Sequence, residues 1–336
     1  MTTERVAPWA SDLVVRLSQY RSPRCTRSIA EIAVTLAGLA ATWITIWLLL
    51  DAGYWEGLAL TVPAAGFLVR LFMIQHDCGH GSFFRRKLAN DWTGRILSIL
   101  TLTPYDFWKS AHAAHHASSG NLDRRGIGDI TLLTVEEYRG LSPMRRLGYR
   151  LYRNPFVLFV LGPAFLFLLQ HRLPVGNMAS SRAWIGVMAT NCATGLFLVL
   201  VALSAGPREL LIIHTPILLM AASTGVWLFY VQHQFEGVKW ARDEPWGVHE
   251  YALHGSSHYV LPPLLRWFTA NVGMHHIHHM CAKIPFYNLP AALEEHNALK
   301  RVGRLTMRES LSCVPLALWD EQNACLISFA EFDRQI

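Results

Sequence analysis

Apolar positions in this chain run together instead of alternating. Two long runs lie near the N-terminus, Ile29–Leu50 and Trp55–Ile74, and two lie late, Ala183–Ser204 and Glu209–Val231. Each is about 20 residues or slightly longer, which at ~1.5 Å per residue matches a ~30 Å hydrocarbon core. Helices buried in a soluble protein usually show a polar stripe, and these runs show none. The pattern predicts four transmembrane helices in two hairpins, closed by the short turns Asp51–Tyr54 and Ala205–Arg208. Pro155–Gln170 is also apolar but shorter and carries Gly162 and Pro163, so it reads as a partly embedded or interfacial segment.

Composition agrees: 52% of the residues are apolar and 16% are charged, against a usual charged share of roughly a quarter. Lys and Arg fix the orientation. The two hairpin turns contain only Arg208, whereas residues 75–182 hold fourteen, the tail from 232 holds nine and the first 28 residues hold five. The positive-inside bias therefore places both termini and the long middle segment in the cytoplasm. A basic face of this kind suits anionic lipid headgroups, so the net charge of +6 calls for no nucleic acid. The expected organisation is one domain over 1–336: a cytoplasmic segment 1–28, hairpins over 29–74 and 183–231, and cytoplasmic segments over 75–182 and 232–336. The first 28 residues do not read as a signal peptide. Six cysteines show no paired spacing and are expected as free thiols. Leu88–Trp108 and Leu261–Phe268 mix apolar residues with Trp, Tyr and Arg, as helices lying at a membrane surface do.

The chemistry is in the histidines. Ten of sixteen fall in four groups on the predicted cytoplasmic side: "HDCGH" with His76 and His80, "HAAHH" with His112, His115 and His116, "QHQFE" with His233, and "HHIHH" with His275, His276, His278 and His279. Residues i, i+3 and i+4 share a helix face, so the three imidazoles of one box can converge on one point. Two ligands from the first box, three from the second, His233 and three from the last make nine. That is too many for one tetrahedral zinc and suits two metal ions of higher coordination. Two adjacent redox metals can reduce O₂, which zinc cannot. The carboxylate-rich di-iron pattern needs Glu-x-x-His, which is absent here, so the site must be histidine-dominated. Helix geometry alone accepts either His275, His278 and His279 or His275, His276 and His279. The His-x-x-His-His template shared with the second box selects the first set and leaves His276 as a neighbour. Asp77, Asp129, Glu236, Asn271 and His276 are candidates for orienting the imidazoles through hydrogen bonds. His171, His214, His249, His254 and His296 read as packing or surface residues, and His258 stays outside the site.

The order of these boxes around paired hydrophobic hairpins resembles the membrane fatty-acid desaturase family. "HDCGHGSFF", "NDWTGRILSILTLTPYDFW", "SGNLDRRGIGDI", "VQHQFEGVKW", "LHGSSHYVLPPLLRWFTANVGMHHIHH" and "IPFYNL" are similar to the bacterial branch related to Δ12 (omega-6) acyl-lipid desaturases, over residues 29–298. The resemblance implies an all-α integral membrane protein of a bacterial inner membrane, with four transmembrane helices and a cytoplasmic helical cap. The cap would hold two iron ions on His76, His80, His112, His115, His116, His233, His275, His278 and His279. It implies O₂ as co-substrate, an acyl-lipid substrate, a cis double bond as product and, since no haem-binding motif is present, a separate ferredoxin- or cytochrome-like donor. Arg85, Arg86, Lys87, Arg124 and Arg125 are candidates for docking that donor. His258 stands where relatives commonly carry Tyr, and Ala270 where Gly is common. A hydroxylase or ketolase acting on a lipid, carotenoid or alkane could use the same histidines. A metal transporter should instead place its ligands at mid-membrane, where only His214 lies.

Overall fold

The computed structural model describes residues 8–126 and 128–335, so residues 1–7 of the expected N-terminal segment lie outside the described residues. Four helices are long and apolar enough to cross a membrane: Cys25–Asp51, Trp55–His80, Ser181–Ala205 and Pro207–His233. Each extends past the apolar run that marks it in the sequence. The extension matters most at the C-terminal ends of the second and fourth, where the helix carries its histidines beyond the lipid-length stretch.

The four are not equivalent. Only 11% of the first and third spans is buried within the protein, against 56% of the second and 28% of the fourth. The second and fourth pack against one another, and these two inner helices bear His76, His80 and His233. The third starts at Ser180, whose side chain accepts from the Ala183 amide at 3.2 Å, a standard N-cap. The fourth opens with a wide π-turn, Leu210–His214. Pro216 follows two residues after its last residue and has no N–H to complete the regular ladder. The second ends at Gly81, whose φ of 65° is the left-handed conformation that stops a helix.

The expected surface segments form short helices with unpartnered apolar faces. On Lys87–Thr101, Leu88, Trp92 and Ile96 follow one another at i, i+4 and i+8 and are 67%, 56% and 60% exposed. Leu264 and Leu265 are exposed on Pro263–Phe268. A third such helix, Pro143–Tyr152, exposes Met144, Leu147 and Leu151. Its many arginines hide that stripe in the sequence. It meets the Val157–Arg172 segment at a 63° bend, so the Pro155–Gln170 region forms a broken or re-entrant element. Exposed apolar stripes of this kind mark surfaces that a membrane or another protein covers.

The cap is mostly helical, with an addition that the sequence pattern did not reveal. Leu133–Thr134 pairs in parallel with Leu316–Asp320, which pairs antiparallel with Cys325–Ser328. His258–Val260 pairs in parallel with Arg304–Thr306. Strands of two to five residues are too short to display a two-residue period. The pairing of Leu133–Thr134 ties the middle segment to the tail, and Tyr149 reinforces the join by donating its hydroxyl to the Ala317 carbonyl at 2.7 Å.

Candidate metal centre

The second box lies on the helix Tyr105–Ser118. This helix is fastened to the second span by the Tyr105 hydroxyl, which donates to the Cys78 carbonyl at 2.9 Å. Gly94 makes room for the Tyr105 ring: a Cβ there would stand 2.1 Å from it. The last box forms its own short helix, His275–Met280. It is held against the fourth span by Gln232, whose amide donates to the Val272 carbonyl at 3.0 Å.

These elements bring nine imidazoles into two groups. His76, His80, His112, His116 and His278 form one, and His115, His233, His275 and His279 form the other. Within each group the ligand nitrogens lie within 4.8 Å of one another, and either group could hold a metal ion. The expectation that one box feeds one point is therefore corrected. In both His-x-x-His-His boxes the i and i+4 residues join one group and the i+3 residue joins the other. The cause is azimuth: at ~100° per residue, i and i+4 differ by ~40°, whereas i+3 and i+4 are ~100° apart. Each box straddles two centres.

In the five-histidine group, neighbouring Nε2 atoms are 3.3 Å apart for His76 and His80, 2.9 Å for His80 and His112, 3.1 Å for His112 and His116, and 3.2 Å for His116 and His278. In the four-histidine group they are 3.2 Å apart for His115 and His233 and 3.0 Å for both His233–His275 and His275–His279. Imidazole nitrogens this close together converge on one point, as the ligands of one metal ion do.

Several Nδ1 atoms are fixed by acceptors, which keeps Nε2 free as the ligand nitrogen. His115 Nδ1 donates to Asp129 Oδ1, and Asp129 Oδ2 accepts the Gly126 amide at 3.1 Å. His233 Nδ1 donates to the Gly255 carbonyl at 3.0 Å. His76 Nδ1 lies 3.4 Å from Asp77 Oδ1, a long contact, while Asp77 Oδ2 accepts the Phe286 amide at 2.7 Å. Burial opposes the charge on Asp129, but the His115 hydrogen bond and the Gly126 amide outweigh it and lower its pKa. His112, His116, His275, His278 and His279 are all held well below the usual 6.5, by burial first and by neighbouring imidazoles second. Neutral imidazoles with free Nε2 lone pairs are the donor set a transition-metal ion requires.

The other candidates fall elsewhere. His276 faces away from both groups: its Nε2 donates to the Leu299 carbonyl at 3.0 Å, and its ring lies 5.3 Å from that of His258. It therefore orients no ligand. Glu236 is exposed and makes no hydrogen bond to these histidines among the described residues. Asn271 likewise makes no side-chain hydrogen bond to a histidine among the described residues, and its amide donates to the Phe286 carbonyl at 3.0 Å. Ala270 is buried with φ of 47°, a left-handed conformation that ordinarily favours glycine. Sequence reasoning missed the Gly255 carbonyl, which carries no side-chain signal. It also missed two aromatic walls: Trp108, stacked on His112 at 4.7 Å, and Phe229, 5.0 Å from His115 and 5.1 Å from His233.

Comparison with known proteins decides the family. The family model described as "Fatty acid desaturase" matches residues 53–310, more than half of the chain. A "Fatty acid desaturase" of Bacillus subtilis (strain 168) is 42% identical over 329 residues, 98% of this chain and 93% of the relative. The chain belongs to the fatty acid desaturase family. More distant desaturases follow. An "sn-1 oleoyl-lipid 12-desaturase" of Synechocystis is 26% identical over 82% of this chain and 77% of the relative. An "sn-1 acyl-lipid omega-3 desaturase (ferredoxin)" of Nostoc is 28% identical over 76% of this chain and 70% of the relative. Membership in the desaturase family makes the reaction class oxidoreduction at an acyl chain. The four long apolar helices make the chain an integral membrane protein.

Proposed function

We infer that this desaturase, working as one unit over its whole length, inserts a cis double bond into the acyl chain of a membrane lipid. It uses two iron ions, one on His76, His80, His112, His116 and His278 and the other on His115, His233, His275 and His279. The observation that carries this reading is the pair of adjacent all-imidazole groups, buried or half-buried, gathered where two membrane-length helices end. A methylene C–H bond offers no purchase to an ordinary acid or base. The iron pair, when bound, supplies activation of O₂ for removing those hydrogens.

The reaction balances as –CH₂–CH₂– plus O₂, two electrons and two protons giving –CH=CH– and two waters. The residues of this chain hold that chemistry in place. Asp129 keeps the proton of His115 on Nδ1, and the Gly255 carbonyl does the same for His233. Trp108 and Phe229 present apolar rings to the histidines and limit entry of water. Electrons come from a small carrier of ferredoxin or cytochrome type on the basic side, which we assign to the cytoplasmic face of a bacterial inner membrane. Three of the five candidate docking residues are already paired: Lys87 with Asp91, Arg124 with Asp243 and Arg125 with Glu137. Arg85 and Arg86 are exposed and form no ion pair among the described residues, so they are the better docking pair.

The test is expression in a host with a simple lipid profile and mass spectrometry of its fatty acids. A new double bond at a fixed position supports the reading. Hydroxylated or keto products without new unsaturation, in the presence of a working donor, would overturn it.

A further inference from the structure

Away from the histidines, a cavity of about 230 Å³ opens between the first two spans and the surface helix Pro263–Phe268. Arg27, Glu31, Arg70, Arg266, Trp267 and Phe286 are among its lining residues. Three guanidinium groups thus face one carboxylate. Glu31 engages two of them, pairing with Arg27 at 2.7 Å and with Arg70. Arg70 is only 2% exposed. It also donates to the Trp267 carbonyl, and its guanidinium lies 4.1 Å from the Trp267 ring and 5.2 Å from that of Phe286. Its Nε remains buried without a hydrogen-bond partner. Arg266 is exposed and forms no ion pair among the described residues. With three guanidinium groups against one carboxylate the cavity lining carries surplus positive charge, and the ligand that suits it is an anion.

We propose that this cavity binds the phosphodiester of a membrane phospholipid and so positions the substrate, an inference that rests on the acyl-lipid reading above. Arginine clusters match phosphate oxygens by geometry as well as charge. Arg27 and Glu31 lie in the first two turns of the first span, and Pro263–Phe268 exposes Leu264 and Leu265. That places the cavity at the level where a lipid carries its phosphate. Its volume is below the roughly 300–1,000 Å³ of a pocket enclosing a drug-sized molecule, which suits a headgroup phosphate and its glycerol better than a whole nucleotide carrier. The wall is connected to the metal centre. Phe286 donates its amide to Asp77 at 2.7 Å and receives Asn271 on its carbonyl at 3.0 Å. Asp77 is next to His76, and Arg70 precedes His76 by six residues, or ~9 Å of helix. A phosphate held here fixes the start of the acyl chain relative to the metals.

The full-length protein in mild detergent is titrated with dioctanoyl phosphatidylglycerol, neutral dioctanoylglycerol, inorganic phosphate and octanoyl-coenzyme A, with binding read by native mass spectrometry. Wild type should prefer phosphatidylglycerol over the neutral lipid by about tenfold or more, the size expected of charge-assisted hydrogen bonds. Arg27→Gln with Arg266→Gln should reduce that preference to near parity. Both positions are exposed, and Arg266→Gln alone should give a partial loss if the double variant is unstable. Equal affinity for the two lipids, or a preference that survives in a folded double variant, would overturn the proposal. Inorganic phosphate binding as tightly as the lipid would make this a free-anion site, and tighter binding of octanoyl-coenzyme A would make it a thioester site; either contradicts it. The readout needs no turnover. A chain that shows the lipid preference yet forms no double bond refutes only the desaturation reading, and the reverse result refutes only the headgroup site.

Discussion

The rings of His116 and His279 stack face to face, with centroids 4.0 Å apart and planes 11° from parallel. They belong to different centres: His116 to the group of five and His279 to the group of four. The two candidate metal positions therefore share a wall of stacked imidazole, and a change at either ring should be felt at both. His279→Ala should lose the metal of the four-histidine centre and also perturb the spectrum of the remaining iron, as read by Mössbauer spectroscopy of enriched protein. An unchanged second signal would mean that the centres are independent.

Asp129→Asn tests the orientation of His115. The side chain keeps its shape but loses the charge that holds the Nδ1 proton. Iron affinity of the four-histidine centre, measured by competition with a chelator, should fall about 10- to 100-fold, the usual cost of removing such a partner. The fold should survive, because Asp129 sits in a loop segment outside the helices. Wild-type affinity in this variant would remove Asp129 from the site.

His276→Ala and His275→Ala should separate stability from metal binding. His276 is buried with its Nε2 on the Leu299 carbonyl and no contact with a ligand nitrogen. Its loss should cost about 1–3 kcal/mol of stability by leaving that carbonyl unsatisfied, with iron content retained. His275→Ala should lose iron. Greater iron loss from the His276 variant would reverse the assignment.

The buried imidazoles also set a pH dependence for the metal-free protein. Burial, with a smaller effect of His258, pushes the pKa of His276 down to about 3, from an ordinary 6.5. His112, His116, His275, His278 and His279 move in the same direction. Well above pH 6.5 neither folded nor unfolded chain binds protons at these groups, so stability is flat. As pH falls below 6.5 the unfolded chain takes up protons that the folded one refuses, and stability declines down toward pH 3. The melting temperature of chelator-treated protein should drop between pH 7 and pH 5; a constant value there would contradict the burial of neutral rings.

Much of this was legible in the sequence because lipid and metal impose simple patterns. Four runs of membrane length mark the spans, and the spacing of His112, His115 and His116 repeats in His275, His278 and His279. What stayed hidden depends on long-range placement. Which imidazole serves which centre follows from the azimuth of each helix against its neighbours, visible only once His233 stands beside His115. The Gly255 carbonyl that holds His233 has no identity in a sequence, and Glu236 and Asn271 lie near the ligands along the chain without the fold bringing their side chains into hydrogen bonds with them. The strands Leu133–Thr134 and Leu316–Asp320 are too short for periodicity and exist because they find each other.

The two-centre arrangement is tested most directly by metal stoichiometry of the purified protein, measured by inductively coupled plasma mass spectrometry on wild type and on His233→Ala. His233 lies only in the four-histidine group. Wild type should carry two irons per chain and the variant about one, since the five-histidine group keeps all its ligands. A single zinc without iron in wild type, or two irons undiminished in the variant, would contradict the arrangement.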